Sequence, residues 1–413
     1  MINLVVLTNS PGELVGWVKP VINEFKRCVP RSRIYVFVPP CQYASGRESE
    51  VIRSWPEVDG VWGLSALLKL ILLGIRPGGM ELAGQTMVLH LGSDLLYSSL
   101  LAKRLRAQAY ACTEGYVKCV NGFEKFFVAD KPLAEKLLRR GVPETKLAVI
   151  GHLFYEAAAT VANDVQALRK ELDLNETEPV IGIMPGSKPY QLYYDLAFLL
   201  KTIELVKARQ PRVSFIMAKS PYTDWDVFAD ALGRERRYAL DGVGGSLKFA
   251  GAMGSITTEN GVSVKIVANQ SLNVMRLSRF MLSVPGTNQI EAAVLGVPSV
   301  VFIPLNEPEA IPVDGLLHHL PKLPLIGKAL KRQLVLKYSA KRPYLTLPNQ
   351  LAKRMIIPEL RGILTPQMVA DQVLSLLENP VELERISKEL LELTAQPQRP
   401  SEKLVQEILR DVV

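Results

Sequence analysis

Met281–Pro304, MLSVPGTNQIEAAVLGVPSVVFIP, decides the fold class. Phe280–Val284 predicts a strand, Pro285-Gly286-Thr287 a tight turn, and the residues from about Asn288 a helix. Gly296-Val297-Pro298 then breaks the helix before a second buried strand. A strand that ends in a glycine turn and opens a helix presents free backbone N–H groups and the positive end of a helix dipole, which together attract anions. Glu291 falls one turn into that helix, where a carboxylate can reach ribose hydroxyls. The unit points to a nucleotide-diphosphate site in an α/β protein.

The rest of the chain repeats the pattern. Apolar runs alternate with helical periodicity, as in a parallel sheet wrapped by helices. Strands are predicted at Asn3–Leu7, Ile34–Val38, Thr86–Leu91, Ala109–Ala111, Lys125–Val128 and Leu147–Ile150. Helices are predicted near Glu13–Lys26, Ser98–Arg106 and Pro132–Arg140. A polar stretch, Asn163–Glu178, then leads to a fresh strand at Val180–Met184, which marks a domain boundary. Beyond it come Val213–Ala218, a glycine-rich hairpin within Asp241–Val262, Val264–Val267, Phe280–Val284 and Ser299–Ile303. The expected organisation is two doubly wound domains facing a cleft, over residues 1–165 and 175–375. Charged C-terminal helices over 376–413 would pack back on the first domain or on a partner subunit.

With 413 residues, 48% of them hydrophobic, the chain can bury two ordinary cores. Its net charge of +8 favours an anionic partner, and no nucleic-acid-binding module is visible. Phosphate-bearing small molecules or lipid head groups are therefore expected rather than nucleic acid. The four cysteines lack zinc or CxxC spacing and read as reduced thiols of a cytosolic protein. MINLVVLTNS has no basic leader or small-residue cleavage site and reads as a first strand. Leu64–Ile75, broken by Lys69, is too short to span a bilayer.

Three strand–turn–helix junctions place a glycine beside a polar residue: Thr8–Glu13, Pro185-Gly186-Ser187-Lys188 and Pro285-Gly286-Thr287-Asn288. Glycine lets a ligand approach the backbone, and Ser or Thr can cap the helix or bond a phosphate oxygen. None fits GxGxxG or GxxxxGK[ST], which argues against NAD and ATP.

These motifs resemble those of the lipid-A-disaccharide synthases. Pro185–Lys188, Pro285–Glu291 with Gly296–Pro298, and Leu347-Pro348-Asn349-Gln350-Leu351-Ala352 followed by Pro358-Glu359-Leu360 occur in that family's order and spacing. Gly12-Glu13-x-x-Gly16 is similar to its N-terminal glycine loop, Leu91-Gly92-Ser93-Asp94 to its strand-end Gly-x-Asp, and Gly151-His152 to the end of its first domain. The similarity runs from about residue 3 to 380. It implies a GT-B glycosyltransferase that inverts its sugar without a bound metal and uses a UDP-sugar as co-substrate, with no other cofactor. The chain departs from the family in four places: Val15-Gly16-Trp17 replaces Ser-Gly-Asp, Met184-Pro185-Gly186-Ser187-Lys188 replaces Leu-Pro-Gly-Ser-Arg, Pro285 replaces a serine, and Leu305–Tyr344 is longer than the corresponding segment.

On this reading Gly186, Ser187, Lys188, Gly286, Thr287, Asn288, Glu291 and Asn349 bind the donor. Lys188 neutralises the diphosphate and Glu291 holds the ribose. Asn349 resembles the family's donor-site asparagine, with a helix cap as the alternative. Gly12 and Gly16 shape the acceptor loop. Asp94 and Glu13 compete for the role of base, and Asp94 could instead be an N-cap. His90 and His152 read as structural.

Leu64–Ile75, and the basic, leucine-rich Gly315–Arg342, suggest contact with anionic head groups. The implied partners are a UDP-sugar, a lipid-linked acceptor and the inner face of the cytoplasmic membrane. A homodimer is implied by the resemblance alone. A UDP-sugar 2-epimerase and a non-catalytic nucleotide-sugar or lipid binder are the alternatives.

Overall fold

Short apolar runs that are buried on both faces pair in parallel, because the crossover helices must cover both sides of the sheet. The computed structural model of the chain describes residues 2–41, 44–159, 165–233, 241–308, 327–395 and 399–410. It divides into two units, one formed by residues 1–160 with 396–413 and the other by 161–395.

The first unit is built on β1 (Ile2–Leu7), β2 (Arg33–Val38), β3 (Gly60–Gly63), β4 (Gln85–His90), β5 (Gln108–Cys112), β6 (Lys125–Val128) and β7 (Leu147–Val149). They form one sheet in the order β3-β2-β1-β4-β5-β6-β7, parallel throughout. Its core includes Val5, Leu7, Phe37, Val88, Ala111 and Phe126, each almost wholly excluded from water.

The second unit uses β8 (Val180–Met184), β9 (Ser214–Lys219), β10 (Gly245–Ala250), β11 (Met253–Thr258), β12 (Ser263–Ala268), β13 (Phe280–Ser283), β14 (Ser299–Pro304) and β15 (Glu359–Gly362). Their order is β10-β11-β12-β9-β8-β13-β14-β15. The hairpin β10–β11 adds antiparallel strands to an otherwise parallel sheet.

Strand order reverses between β1 and β4 in the first sheet and between β8 and β13 in the second. At such a switch point neighbouring crossovers run to opposite sides and leave a crevice beyond the carboxyl ends of the strands. Thr8–Glu13 follows β1, Gly92–Asp94 follows β4, Pro185–Lys188 follows β8 and Pro285–Asn288 follows β13. All four motifs therefore stand at switch points.

Predicted and observed elements differ mainly at short strands. β3 and β15 were not expected, because GVWG and ELRG are four-residue runs without apolar alternation. The helix expected over Glu13–Lys26 begins as Pro11–Glu13, passes through a π-helical stretch at Leu14–Val18, and continues as Lys19–Cys28. The C-terminal helices divide between the units. Pro380–Thr394 packs on Asn288–Val294 and Leu347–Ala352 in the second unit. Pro400–Arg410 packs on Lys19–Cys28 and Leu153–Ala159 in the first, burying Leu404, Val405 and Ile408. The buried Glu156 fastens it there, accepting from Ser401 N at 2.8 Å and Ser401 Oγ at 2.6 Å. Residues 315–326 of the basic stretch lie outside the described residues, and the stretch continues as the helix Gly327–Ala340.

Candidate functional site

In the first unit the β1–β4 switch point separates the two candidate bases. Asp94 caps the helix Leu95–Leu105, accepting from Leu96 N at 2.8 Å, and pairs with Lys118, whose Nζ lies 2.6 Å from Oδ2. Partial burial opposes ionisation there, but Lys118 and the Leu96 amide outweigh it and hold the Asp94 carboxyl below the usual range. Asp94 thus caps a helix and forms an ion pair, and its carboxyl is held ionised.

Glu13 is its opposite. Burial pushes its carboxyl up to about 7, with the nearby charge of Glu114 adding to the effect and polar groups of Ser10 and Asn9 partly offsetting it. The carboxyl lies directly against Gly92, where φ is +120° and a Cβ would collide with it. Only glycine meets both demands. Glu13 Oε2, Thr8 Oγ1 and Ser93 Oγ are buried and have no hydrogen-bond partner among the described residues. Native proteins rarely leave such atoms unsatisfied, so three together mark a place shaped for a polar ligand or water. Ser93 is itself held at φ +83°, a strained value for a serine. The π-helical stretch that follows Glu13 is another feature frequent at functional sites.

Gly12 lies beside Glu13 in the helical turn Pro11–Glu13. Gly16 is tightly packed. It is buried in the π-helical stretch, and a Cβ there would collide with the Phe154 ring, which packs 5.7 Å from Trp17. His90 is buried, bonded to Ser98 Oγ at 2.9 Å, and held down to about 4 by burial, so it stays neutral. His152 stacks on Tyr155 at 4.7 Å and lies 3.9 Å from Asp130.

In the second unit both glycine turns are pinned by glutamines that the sequence reading passed over. Gln191 Oε1 accepts from Ser187 N at 3.1 Å and Lys188 N at 3.2 Å, and its side chain packs against Gly186. Gln289 Oε1 accepts from Gly286 N at 2.7 Å, while its Nε2 donates to Ser283 Oγ and Val284 O, both at 2.8 Å. The Gly186 and Gly286 turns are thereby preformed, and the 21-residue helix Pro189–Arg209 begins directly after Lys188. Thr287 is exposed, and Asn288 Oδ1 is buried without a partner among the described residues. Glu291 is only 8% exposed and its carboxyl is pushed up to about 7 by burial. Burial disfavours its charged form, a cost that a hydrogen bond from a ligand hydroxyl would offset.

Asn349 requires a correction. Its Oδ1 accepts from Ile356 N at 2.7 Å and Ile357 N at 3.0 Å, and its Nδ2 donates to Ile357 O at 2.9 Å and Glu359 Oε1 at 2.8 Å. An amide side chain has two donors and two acceptor positions, and all four are taken. Glu359 in turn accepts from Leu345 N, Thr346 N and Thr346 Oγ1. The Asn349 and Pro358-Glu359 elements therefore form a closed brace for residues 344–359, with no capacity left on Asn349 for a donor.

Asp195, on the helix Pro189–Arg209, gave no signal in the sequence. It is 8% exposed, Oδ1 has no partner among the described residues, and burial pushes the carboxyl up to about 8. The folded state keeps a proton that the unfolded chain releases near pH 4, so stability should fall as pH rises from about 4 to about 8. Asp195→Asn removes that penalty. The variant is expected to gain on the order of 1–3 kcal/mol at pH 9 and nothing at pH 4, as read by urea unfolding at the two pH values.

No family model matches the chain. Curated lipid-A-disaccharide synthases do match. The one from Paraburkholderia phymatum is 26% identical over 64% of this chain and 54% of its own length. That of Persephonella marina is 21% identical over 68% and 63%, and that of Pseudomonas fluorescens 28% identical over 54% and 45%. The fold is shared with UDP-GlcNAc 2-epimerase from Neisseria meningitidis bound to UDP-GlcNAc (TM-score 0.55, 15% identity, 100% of both chains). It is also shared with the S. aureus MnaA–UDP complex (TM-score 0.55, 14% identity, 100% of this chain and 97% of that one). Fold and switch points define an α/β protein of two Rossmann-like units of the GT-B kind. The chain is a divergent relative of the lipid-A-disaccharide synthases and spans about half the length of the curated relatives it matches.

Proposed function

We propose that the chain is a glycosyltransferase that moves a sugar of the N-acetylglucosamine type, with inversion, from UDP to a lipid-linked acceptor. The observation that carries this reading is Glu13, a half-buried carboxyl with an unpartnered oxygen and a proton affinity matched to neutral pH, at a switch point where ligands bind. The names of the relatives support the reaction class.

Glu13 would take the proton of an acceptor hydroxyl as that oxygen bonds to the anomeric carbon and the bond to UDP breaks. The departing diphosphate gains negative charge, which Lys188 and the N-terminus of Pro189–Arg209 would stabilise without a resident metal or cofactor. Glu291 would hold the ribose, with Gly186, Ser187, Gly286, Thr287 and Asn288 lining the donor.

A lipid acceptor calls for access to a bilayer. Leu72, Leu73 and Ile75, at the end of the helix Leu64–Leu73 and just beyond it, are 67%, 68% and 54% exposed beside the exposed Lys69 and Arg76. Apolar side chains flanked by cations are the pattern of peripheral attachment to anionic lipid. Among the described residues, no helix is long and apolar enough to cross a membrane.

Isothermal titration with UDP tests the donor half. Binding that is lost in Glu291→Ala and weakened in Lys188→Ala is the expected result, and no binding by the intact chain would overturn the reading. Release of UDP from UDP-GlcNAc only when membrane lipid extract is added would then separate transfer from acceptor-free epimerisation. Flotation with phosphatidylglycerol vesicles should fail for Leu72→Asp/Leu73→Asp.

A further inference from the structure

The basic stretch beyond β14 takes no part in the proposed reaction. Residues 315–358 contain no Asp or Glu, and residues 327–342 alone carry six Lys and Arg. The helix Pro380–Thr394 of the same unit neutralises its surface cation internally, with Arg385 pairing with Glu382 and Glu389, three and four residues away, each at 2.6 Å. The helix Gly327–Ala340 has no acid at such a spacing, or anywhere in its length.

Its seating leaves that charge facing outward. Lys331 and Val335, one turn apart, are buried. Arg361 on β15 donates to Ser339 O at 2.8 Å and to Arg342 O at 2.7 Å. It thereby ties the last carbonyls of the helix, where the dipole is negative, to the sheet. With that side fixed, Ala329, Arg332, Gln333, Leu336, Lys337 and Ala340 fall at helical spacing on one exposed stripe. Lys341 and Arg342, just beyond the helix, are exposed as well. Ile363, two residues past the arginine that holds the end of the helix, is 73% exposed.

We propose that the outer stripe of Gly327–Ala340, with Lys341, Arg342 and Ile363, is a contact surface for an anionic phospholipid bilayer. Cations with no acid among them complement the head groups, and the exposed Leu336 and Ile363 can enter the boundary with the acyl chains. Duplex nucleic acid would meet the cations but offer those two apolar side chains nothing to enter. Each cation near an anionic membrane strengthens binding about fivefold, so the stripe adds to an apolar anchor rather than replacing one.

Flotation of the full chain with vesicles of phosphatidylglycerol and phosphatidylcholine in equal parts, against phosphatidylcholine alone, tests this without donor or acceptor. Lys337→Gln/Lys341→Gln is expected to lower affinity for the mixed vesicles about 10- to 30-fold. The difference from the wild type should close at about 1 M salt, where the screening length falls to about 3 Å. Ile363→Asp should weaken binding too. All three positions are exposed, so unchanged thermal unfolding is the control for folding. No binding by the intact chain, or mixed-vesicle affinity unmoved in the lysine variant, would overturn the proposal. So would a loss shared equally with heparin binding and absent in Ile363→Asp, which would make the stripe a general polyanion surface. Absence of UDP release would overturn the transferase reading and leave this surface intact. Flotation kept by Leu72→Asp/Leu73→Asp but lost in the lysine variant would remove only the contact assigned to the first unit.

Discussion

Glu13→Gln is expected to lower acceptor-dependent UDP release by about 10²–10⁴-fold while leaving UDP affinity within about twofold. The amide keeps the size of the carboxyl and its fit against Gly92, so the fold of the rim should persist. What it loses is the ability to accept a proton, and positioned general bases contribute about that factor. Wild-type activity should rise with pH through the region near 7 where Glu13 ionises, since the base acts only when deprotonated. Asp94→Asn provides the contrast. Its carboxyl is a helix cap and the partner of Lys118, so the substitution should reduce thermal stability modestly and move the pH profile little. Equal loss of turnover in Asp94→Asn and Glu13→Gln, at unchanged stability, would return the role of base to Asp94.

The second large effect concerns stability. Asn349→Ala removes the brace of residues 344–359 and leaves Ile356 N, Ile357 N and Ile357 O without their partner in a buried setting. Each orphaned group costs about 1–3 kcal/mol, so a loss on the order of 3–5 kcal/mol is expected in chemical unfolding of the second unit. UDP affinity of the remaining folded protein should be unchanged. A variant of ordinary stability that no longer binds UDP would restore Asn349 to the donor site.

Much of the scaffold was legible because it rests on local pattern. Val180–Met184 and Lys125–Val128 were read with their observed bounds, and the turn at Pro285–Thr287 stands where MLSVPGTNQ predicts it. Apolar runs of strand length, bounded by glycine and proline, carry that information within a few residues. The four-residue β3 and β15 do not, since they are strands only by virtue of the neighbours that pair with them.

The roles of individual side chains followed a different rule. Asp94 and Glu13 are both carboxylates just after a strand, and nothing local ranks them. Lys118, 24 residues from Asp94, lowers one carboxyl, and Gly92, 79 residues from Glu13, packs against the other, which burial raises. Asn349 belongs to a motif that resembles a donor site, yet its partners at 356–359 use all of its hydrogen-bonding capacity. At Gly16, Phe154 occupies the space a side chain would need, a constraint that the motif does not reveal.

The opening stretch shows the same division. By itself the sequence determined two α/β units, the strand–turn–helix at Met281–Pro304 and the resemblance to one glycosyltransferase family, because periodicity, turn chemistry and motif spacing are local properties. Only the tertiary structure decided that Gln289 holds that turn, that Glu291 is buried, and that Asp94 pairs with Lys118 while Glu13 is buried against Gly92. Burial and hydrogen-bond saturation depend on which distant residues arrive at the same point, and that is a property of the fold.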